Sequence, residues 1–233
     1  MTSASNSKRL ILLKLTGEIF AEQPNQAIEL VTQIKYLNTT HQFAIVIGGG
    51  NFWRGNQQGQ QFQIRAAIAH QVGLLATVMN ALILQEVFWK HDLPTTVLSA
   101  VDCPRIAAPV SNNNIRTALS QHHCLIFAGG TGEPFFSTDT AAVVRALQIN
   151  AHEIWKATNV AGIYTADPRQ NSQAKLLKRV SYQEAITQNL QIMDQTAFML
   201  ANEHKLPIRI FDLFAPEALI QAAQNSDFGS LLF

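Results

Sequence analysis

Six short apolar runs, at residues 10–15, 43–47, 96–100, 124–128, 154–157 and 208–211, alternate with segments of helical periodicity along almost the whole chain. Few folds accommodate that rhythm. A helix between two strands returns the chain to the same end of a sheet, so repeated strand–helix units give parallel strands joined by crossover helices. Helices are expected at residues 26–37, 66–91, 114–121, 140–149, 182–188, 196–205 and 216–224. The strand runs are apolar at consecutive rather than alternate positions, which places both faces of the sheet under helices. The expected fold class is therefore α/β, a three-layer αβα sandwich with a central, mostly parallel sheet. No internal repeat, low-complexity tract or Pro/Gly/Ser-rich linker divides residues 1–233, which are expected to form one domain.

Composition excludes several kinds of function. With 47% apolar residues, 14% charged residues and a net charge of +1, the sequence reads as a globular enzyme. It carries no Lys/Arg block that would serve a nucleic acid polymer or an anionic membrane. Any phosphate group must then be held by local features. Cys103 and Cys124 have no partners at metal-ligand spacing, so neither a disulfide framework nor a protein-held metal is expected, and a reducing cytoplasm fits. The polar first nine residues and the short apolar run after them match no signal peptide or membrane span.

Open parallel sheets bind ligands beyond the carboxyl ends of their strands, so the residues that follow each strand are where chemistry is expected. The first such loop reads Lys14-Leu15-Thr16-Gly17-Glu18 and the second Gly48-Gly49-Gly50-Asn51-Phe52-Trp53-Arg54. The third reads Gly129-Gly130-Thr131-Gly132-Glu133-Pro134-Phe135-Phe136-Ser137-Thr138-Asp139. A glycine run serves a tight turn or an anion nest; Arg54, whose guanidinium can fork onto two phosphate oxygens, favours the nest. In the third loop, backbone donors and the hydroxyls of Thr131, Ser137 and Thr138 lead into a helix N-terminus, which together form a phosphate cradle. Thr138 or Asp139 can equally cap that helix. Lys14 ends an apolar strand, where its ammonium either awaits an anion or snorkels to the surface. Neither G-x-x-x-x-G-K-[ST] nor G-x-G-x-x-G occurs.

Taken together, KLTGE, IGGGNFWRG, LLATVMNAL, AGGTGEPFFSTDTAA, KATNVAGIYTADP, QIMDQTAF and LPIRIF resemble the bacterial-type UMP kinases of the amino-acid kinase superfamily, in order, from Lys8 to Leu232. The resemblance implies the carbamate kinase-like fold and transfer of the ATP γ-phosphoryl group to UMP in pyrimidine nucleotide biosynthesis. It also implies Mg²⁺ accompanying ATP and a homohexamer built from dimers. Catalytic roles fall on Lys14, Arg54, Asp139 and Asp194, with Asp194 able to orient Lys14 by a charge pair or to cap the following helix. ATP binding falls on Lys14, Leu15, Thr16, Gly17, Gly50, Arg54, Thr158, Tyr164 and Asp167. UMP binding falls on Gly49, His70, Thr131, Gly132, Glu133, Pro134, Phe135, Phe136, Ser137 and Thr138.

Four positions depart from that family's pattern. His70 stands where relatives carry an Asp for the ribose hydroxyls, and no carboxylate occurs between Arg54 and Glu86. Glu133 replaces an Asn, Ala161 replaces an Asp, and the segment at residues 20–25 is shortened where relatives bind a GTP activator. Two alternatives therefore stand beside UMP phosphorylation: a related kinase with another acceptor, and a non-catalytic protein that binds nucleotide or oxyanions. The helix at residues 66–91 is apolar on more than one face, which predicts a partner surface in addition to the face that covers the sheet.

Overall fold

The computed structural model describes residues 8–20 and 25–233. β1 (Arg9–Leu15) passes through a 3-10 turn at Gly17–Phe20 to α1 (Asn25–Leu37) and β2 (His41–Ile47). Next come α2 (Gly55–Gln61), α3 (Ala66–Lys90), β3 (Thr95–Ser99), β4 (Ala108–Pro109), α4 (Asn112–Ser120), β5 (Cys124–Ala128), α5 (Thr138–Gln148) and β6 (Glu153–Thr158). The last part carries β7 (Ile163–Tyr164), β8 (Leu176–Leu177), β9 (Arg179–Val180), α6 (Tyr182–Thr187), α7 (Gln195–Glu203), β10 (Ile208–Asp212), α8 (Ala218–Gln224) and β11 (Ser230–Leu232). Nine strands form one sheet in the order β4-β3-β5-β2-β1-β6-β10-β11-β9. Every neighbouring pair is parallel except β10 with β11.

The period of two in a strand divides the core into two layers. Ile11, Leu13 and Leu15 of β1 join Phe43, Ile45, Trp155 and Phe211 beneath α1, α3 and α8. Leu12 points the other way and packs with Ala44, Val46, Phe127 and Ile154 against α4, α5, α6 and α7. Each buried Leu, Ile or Phe contributes roughly 1.5–3 kcal/mol relative to exposure. The same alternation turns Lys14 toward α5, at the end of the strand where that helix begins.

α3 is continuous from Ala66 to Lys90 and apolar all round. Its length and composition would suit a membrane span, yet its inner side packs Val78, Ala81, Leu84 and Phe88 into the core. Leu75 (50% exposed), Met79 (49%) and Ile83 (40%) form a stripe on the outer side, one helical turn apart from each other.

Several element boundaries differ from those expected. α5 starts at Thr138 because Ser137 is the cap, accepting from the Thr140 amide at 3.1 Å. Thr138 and Asp139 therefore lie in the first turn and do not cap it. α4 likewise begins two residues before the expected start, capped by Ser111. Pro216 precedes α8, which opens after Glu217 in a left-handed conformation (φ 52°). α2 and the strands β4, β7, β8, β9 and β11, two or three residues each, are additional to the sequence reading. The first seven residues and residues 21–24 of the shortened segment lie outside the described residues.

Candidate active site

β1 and β6 are adjacent and parallel, and their register places Lys14 directly beside Lys156. Both side chains face α5, whose first turn presents Asp139 between them. Lys14 Nζ lies 3.1 Å from Asp139 Oδ1 and Lys156 Nζ lies 2.6 Å from Asp139 Oδ2. Lys156 also donates to the carbonyl of Ile192 at 2.7 Å, which ties β6 to the segment before α7. The three side chains are only 16%, 11% and 16% exposed. One carboxylate thus faces two ammonium groups in a partly desolvated site, with the charge of Asp194 reaching Lys156 as well. An anion placed at the strand ends would find charge-assisted donors in the two ammonium groups.

The electrostatics follow from that packing. Burial alone would raise the Asp139 carboxyl, but the Lys14 and Lys156 ammonium groups outweigh it and hold the group below the usual carboxylate range. The N-terminus of α5 favours the same negative charge. Burial pulls Lys156 below the ordinary lysine value against the opposing attraction of Asp139.

Two cavities flank this centre. One, of about 460 Å³, is lined by Lys156, Thr158, Gly162, Tyr164, Asp167 and Ile210 among others, so three expected nucleotide-binding positions share one hollow over β6 and β10. The other, of about 380 Å³, lies between α3 and the loops after β2 and β5. Gly49, His70, Glu133, Phe136, Ser137 and Thr138 line it. Gly50 and Arg54 line it too, and neither borders the first cavity. The loop after β2 turns toward α3, where Gly49 meets the helix backbone so closely that a Cβ would lie 2.9 Å from the Gly73 carbonyl. Arg54 is 59% exposed, pairs with Glu18 at 3.0 Å and bonds the Gly50 carbonyl at 3.3 Å.

The other expected residues support the two cavities from outside. Leu15 is buried in the core, and the Thr16 hydroxyl accepts the Glu18 amide at 3.3 Å. Gly17 sits so close to the second loop that a Cβ would fall 2.8 Å from the Gly48 carbonyl. Thr131, Gly132, Pro134 and Phe135 shape the third loop without lining the cavity. The Phe135 ring packs on His70, with centroids 4.9 Å apart.

Asp194 does not pair with Lys14. It caps α7, accepting from the Ala197 amide at 3.0 Å, and takes hydrogen bonds from the hydroxyls of Ser137 and Thr140. Because α7 packs on α5, the Asp194 carboxylate is occupied by the first turn of α5, and Asp139, projecting from that turn, meets the lysine instead. The charge of Asp194 still reaches Lys156 and favours its protonated form. Lys156 itself was not among the expected site residues, although its strand, Glu-Ile-Trp-Lys-Ala-Thr, repeats the pattern that marked Lys14: a lysine near the end of an apolar strand.

Among the described residues, no group of three or more His, Cys, Asp or Glu side chains converges as a metal cage. Asp139 is engaged by two lysines and Asp194 by hydroxyls and an amide. Such a donor set fits a metal that arrives on nucleotide phosphates and keeps water ligands, not one held by the protein alone.

A model of the amino acid kinase family matches residues 9–212. The uridylate kinase of Coxiella burnetii is 40% identical, covering 96% of this chain and 95% of its own. That of Mycoplasma pneumoniae is 44% identical, covering 91% and 93%. Among solved structures, the crystal structure of UMP kinase from Ureaplasma parvum superposes with a TM-score of 0.91 at 29% identity, covering 97% and 99% of the two chains. With the family match spanning most of its length and these relatives aligned over more than nine-tenths of both chains, the chain belongs to the amino acid kinase family.

Proposed function

We propose that this protein transfers the γ-phosphoryl group of ATP to UMP, giving ADP and UDP. The observation that carries the reading is the Lys14–Asp139–Lys156 centre between two cavities, one for each nucleotide. ATP occupies the cavity lined by Thr158, Tyr164 and Asp167, and UMP the cavity lined by Gly49, His70 and Thr138. The two phosphate ends meet above Lys14 and Lys156. An oxygen of the UMP phosphate forms a bond to the γ-phosphorus as the bond to the β,γ-bridging oxygen breaks, and ADP leaves with that electron pair. The attacking oxygen is already anionic, so no general base is required. Catalysis then consists of in-line positioning and neutralisation of charge on the moving group. Lys14 and Lys156 supply positive charge to its oxygens, and Asp139 holds the two ammonium groups at a set spacing. Mg²⁺ accompanying ATP would supply further charge neutralisation beside Lys14 and Lys156.

The test is a coupled ADP-release assay across UMP, CMP, dUMP and small carboxylic acids. Turnover with UMP at the highest kcat/KM is the expected result. A different best acceptor would replace UMP with that acceptor, and no turnover with any of them would mean a binding protein.

The same reading places the protein in pyrimidine nucleotide synthesis in the cytoplasm, as one domain that assembles into a homo-oligomer, a hexamer by family likeness. The outer stripe of α3 suits a two-fold contact, in which a single charged substitution enters twice. Met79→Glu is expected to lower the molar mass measured by light scattering. A wild-type protein that is monomeric at micromolar concentration would dismiss the assembly.

A further inference from the structure

Although α3 is apolar on every side, its inward face buries two polar side chains one turn apart, Thr77 (6% exposed) and Asn80 (0%). Burying such groups costs stability unless they are partnered. Both find partners beyond the helix. The Thr77 hydroxyl donates to the Leu74 carbonyl at 2.7 Å and accepts the Gly129 amide at 2.8 Å. Asn80 Nδ2 donates to the Gly48 carbonyl at 2.6 Å and to Asn51 Oδ1 at 2.7 Å. Gly48 and Gly129 open the glycine-rich loops after β2 and β5, which form two walls of the acceptor cavity.

Each loop also depends on close approach to its surroundings. Gly129 has φ +74°, and a Cβ there would meet the Val101 amide at 2.8 Å. At Gly49 a Cβ would meet Ala76 Cβ at 2.8 Å, in the same turn of α3. The helix therefore touches both loops, and within that turn only Thr77 and Asn80 bond to them with side chains.

We propose that Thr77 and Asn80 are positioning residues which, from one turn of α3, set the separation of the two glycine loops and hence the place of the acceptor phosphate relative to Lys14 and Lys156. This rests on reading the cavity between the loops as the acceptor site. Thr77 borders that cavity, but its hydroxyl is already engaged at both ends; Asn80 does not reach the cavity. Neither contacts the reacting atoms. Their effect comes through backbone, where displacement on the order of 1 Å costs about a hundredfold in rate.

Thr77→Val keeps the shape and leaves the Gly129 amide buried without a partner, whereas Thr77→Ser keeps the acceptor oxygen. Hydrogen exchange of residues 129–132, followed by mass spectrometry, reports the brace without any need for turnover. The Val variant is expected to exchange there about tenfold faster or more, with the central strands unchanged, and the Ser variant to stay near wild type. In steady-state assays the Val variant should raise the UMP KM about tenfold while the ATP KM stays within about twofold. Asn80→Asp, unable to donate to Gly48, is the second variant and should lower kcat on the order of tenfold. Wild-type exchange at residues 129–132 in the Val variant would overturn the proposal, as would a loosened loop with unchanged UMP KM. If the wild-type protein itself phosphorylates no nucleoside monophosphate, the functional reading fails, and the exchange comparison alone then decides whether the brace exists.

Discussion

The lysine–aspartate centre and the acceptor cavity lie at the same edge of one sheet, yet they are built differently. Lys14 and Lys156 come from adjacent strands in fixed register and Asp139 from the first turn of a helix, with all three side chains less than a fifth exposed. The cavity read as the acceptor site draws on the loops after β2 and β5 as well as on α3, and its Arg54 is 59% exposed. The charges of the centre are held by strand pairing and a helix turn, while Arg54 and Glu133 of the cavity lie on loops outside the core. Two of the departures from the UMP kinase pattern, His70 and Glu133, fall in the acceptor cavity, and none falls on the three charged residues of the centre.

If that contrast holds, the size of a mutational effect follows the rigidity of the site it touches. Lys14→Ala is expected to lower kcat about a hundredfold or more, with little change in the ATP KM, because it removes charge aimed at the transition state. Turnover within tenfold of wild type would break the comparison. Arg54→Lys keeps its charge but loses the fork, and its exposure limits the loss to about tenfold, seen mainly in the acceptor KM. A loss as large as that of Lys14→Ala would move Arg54 into the centre.

His70→Asp is expected to tighten UMP several-fold in titration calorimetry, since a carboxylate accepts more hydrogen bonds from ribose hydroxyls than a neutral imidazole does. Equal or weaker binding would mean that the ribose does not lie beside α3. The smallest effect concerns acid stability. Asp139 has a depressed pKa in the folded protein, so its ion pairs stabilise the fold above the usual carboxylate value near 4, and that contribution is lost as pH falls through the folded value. Denaturant titrations of Asp139→Asn should show a shallower fall in stability between about pH 4 and pH 2 than wild type. Parallel curves would show that the carboxylate does not carry the pairing charge.

The large features of the fold were legible because they repeat. Strands such as Leu125-Ile126-Phe127 are apolar at every position, and their pairing into a parallel sheet follows from the helices between them. Strands of two or three residues, such as Arg179–Val180 and Ser230–Leu232, hold too little pattern to be seen, and only tertiary pairing makes them strands. Within the site, Lys14 is legible from one end of an apolar strand, and Lys156, inside a longer motif, carries the same signal. The sequence leaves Asp194 either pairing with Lys14 or capping a helix, because both Asp139 and Asp194 lie at helix N-termini, and only the packing of α7 on α5 makes Asp194 the cap and brings Asp139 to the lysine. Sequence order does not reveal which way a loop turns from the sheet, so the cavity that Gly50 and Arg54 border is visible only in the fold.

The pairing of Lys14 with Lys156 has a practical side. β1 finds β2 nearby in the chain, but its other edge stays open until β6 has been made, more than a hundred residues later. Cutting the chain in the loop between α5 and β6 would give two pieces, one carrying Lys14 and Asp139 and the other Lys156, neither able to build the centre alone. An emerging polypeptide therefore displays an unpaired, largely apolar strand edge until late in synthesis, a stage at which self-association competes with folding. The same arrangement makes recovered turnover from the two mixed pieces a direct readout of β6 docking on β1, and the enzyme a candidate for splitting into a two-part reporter.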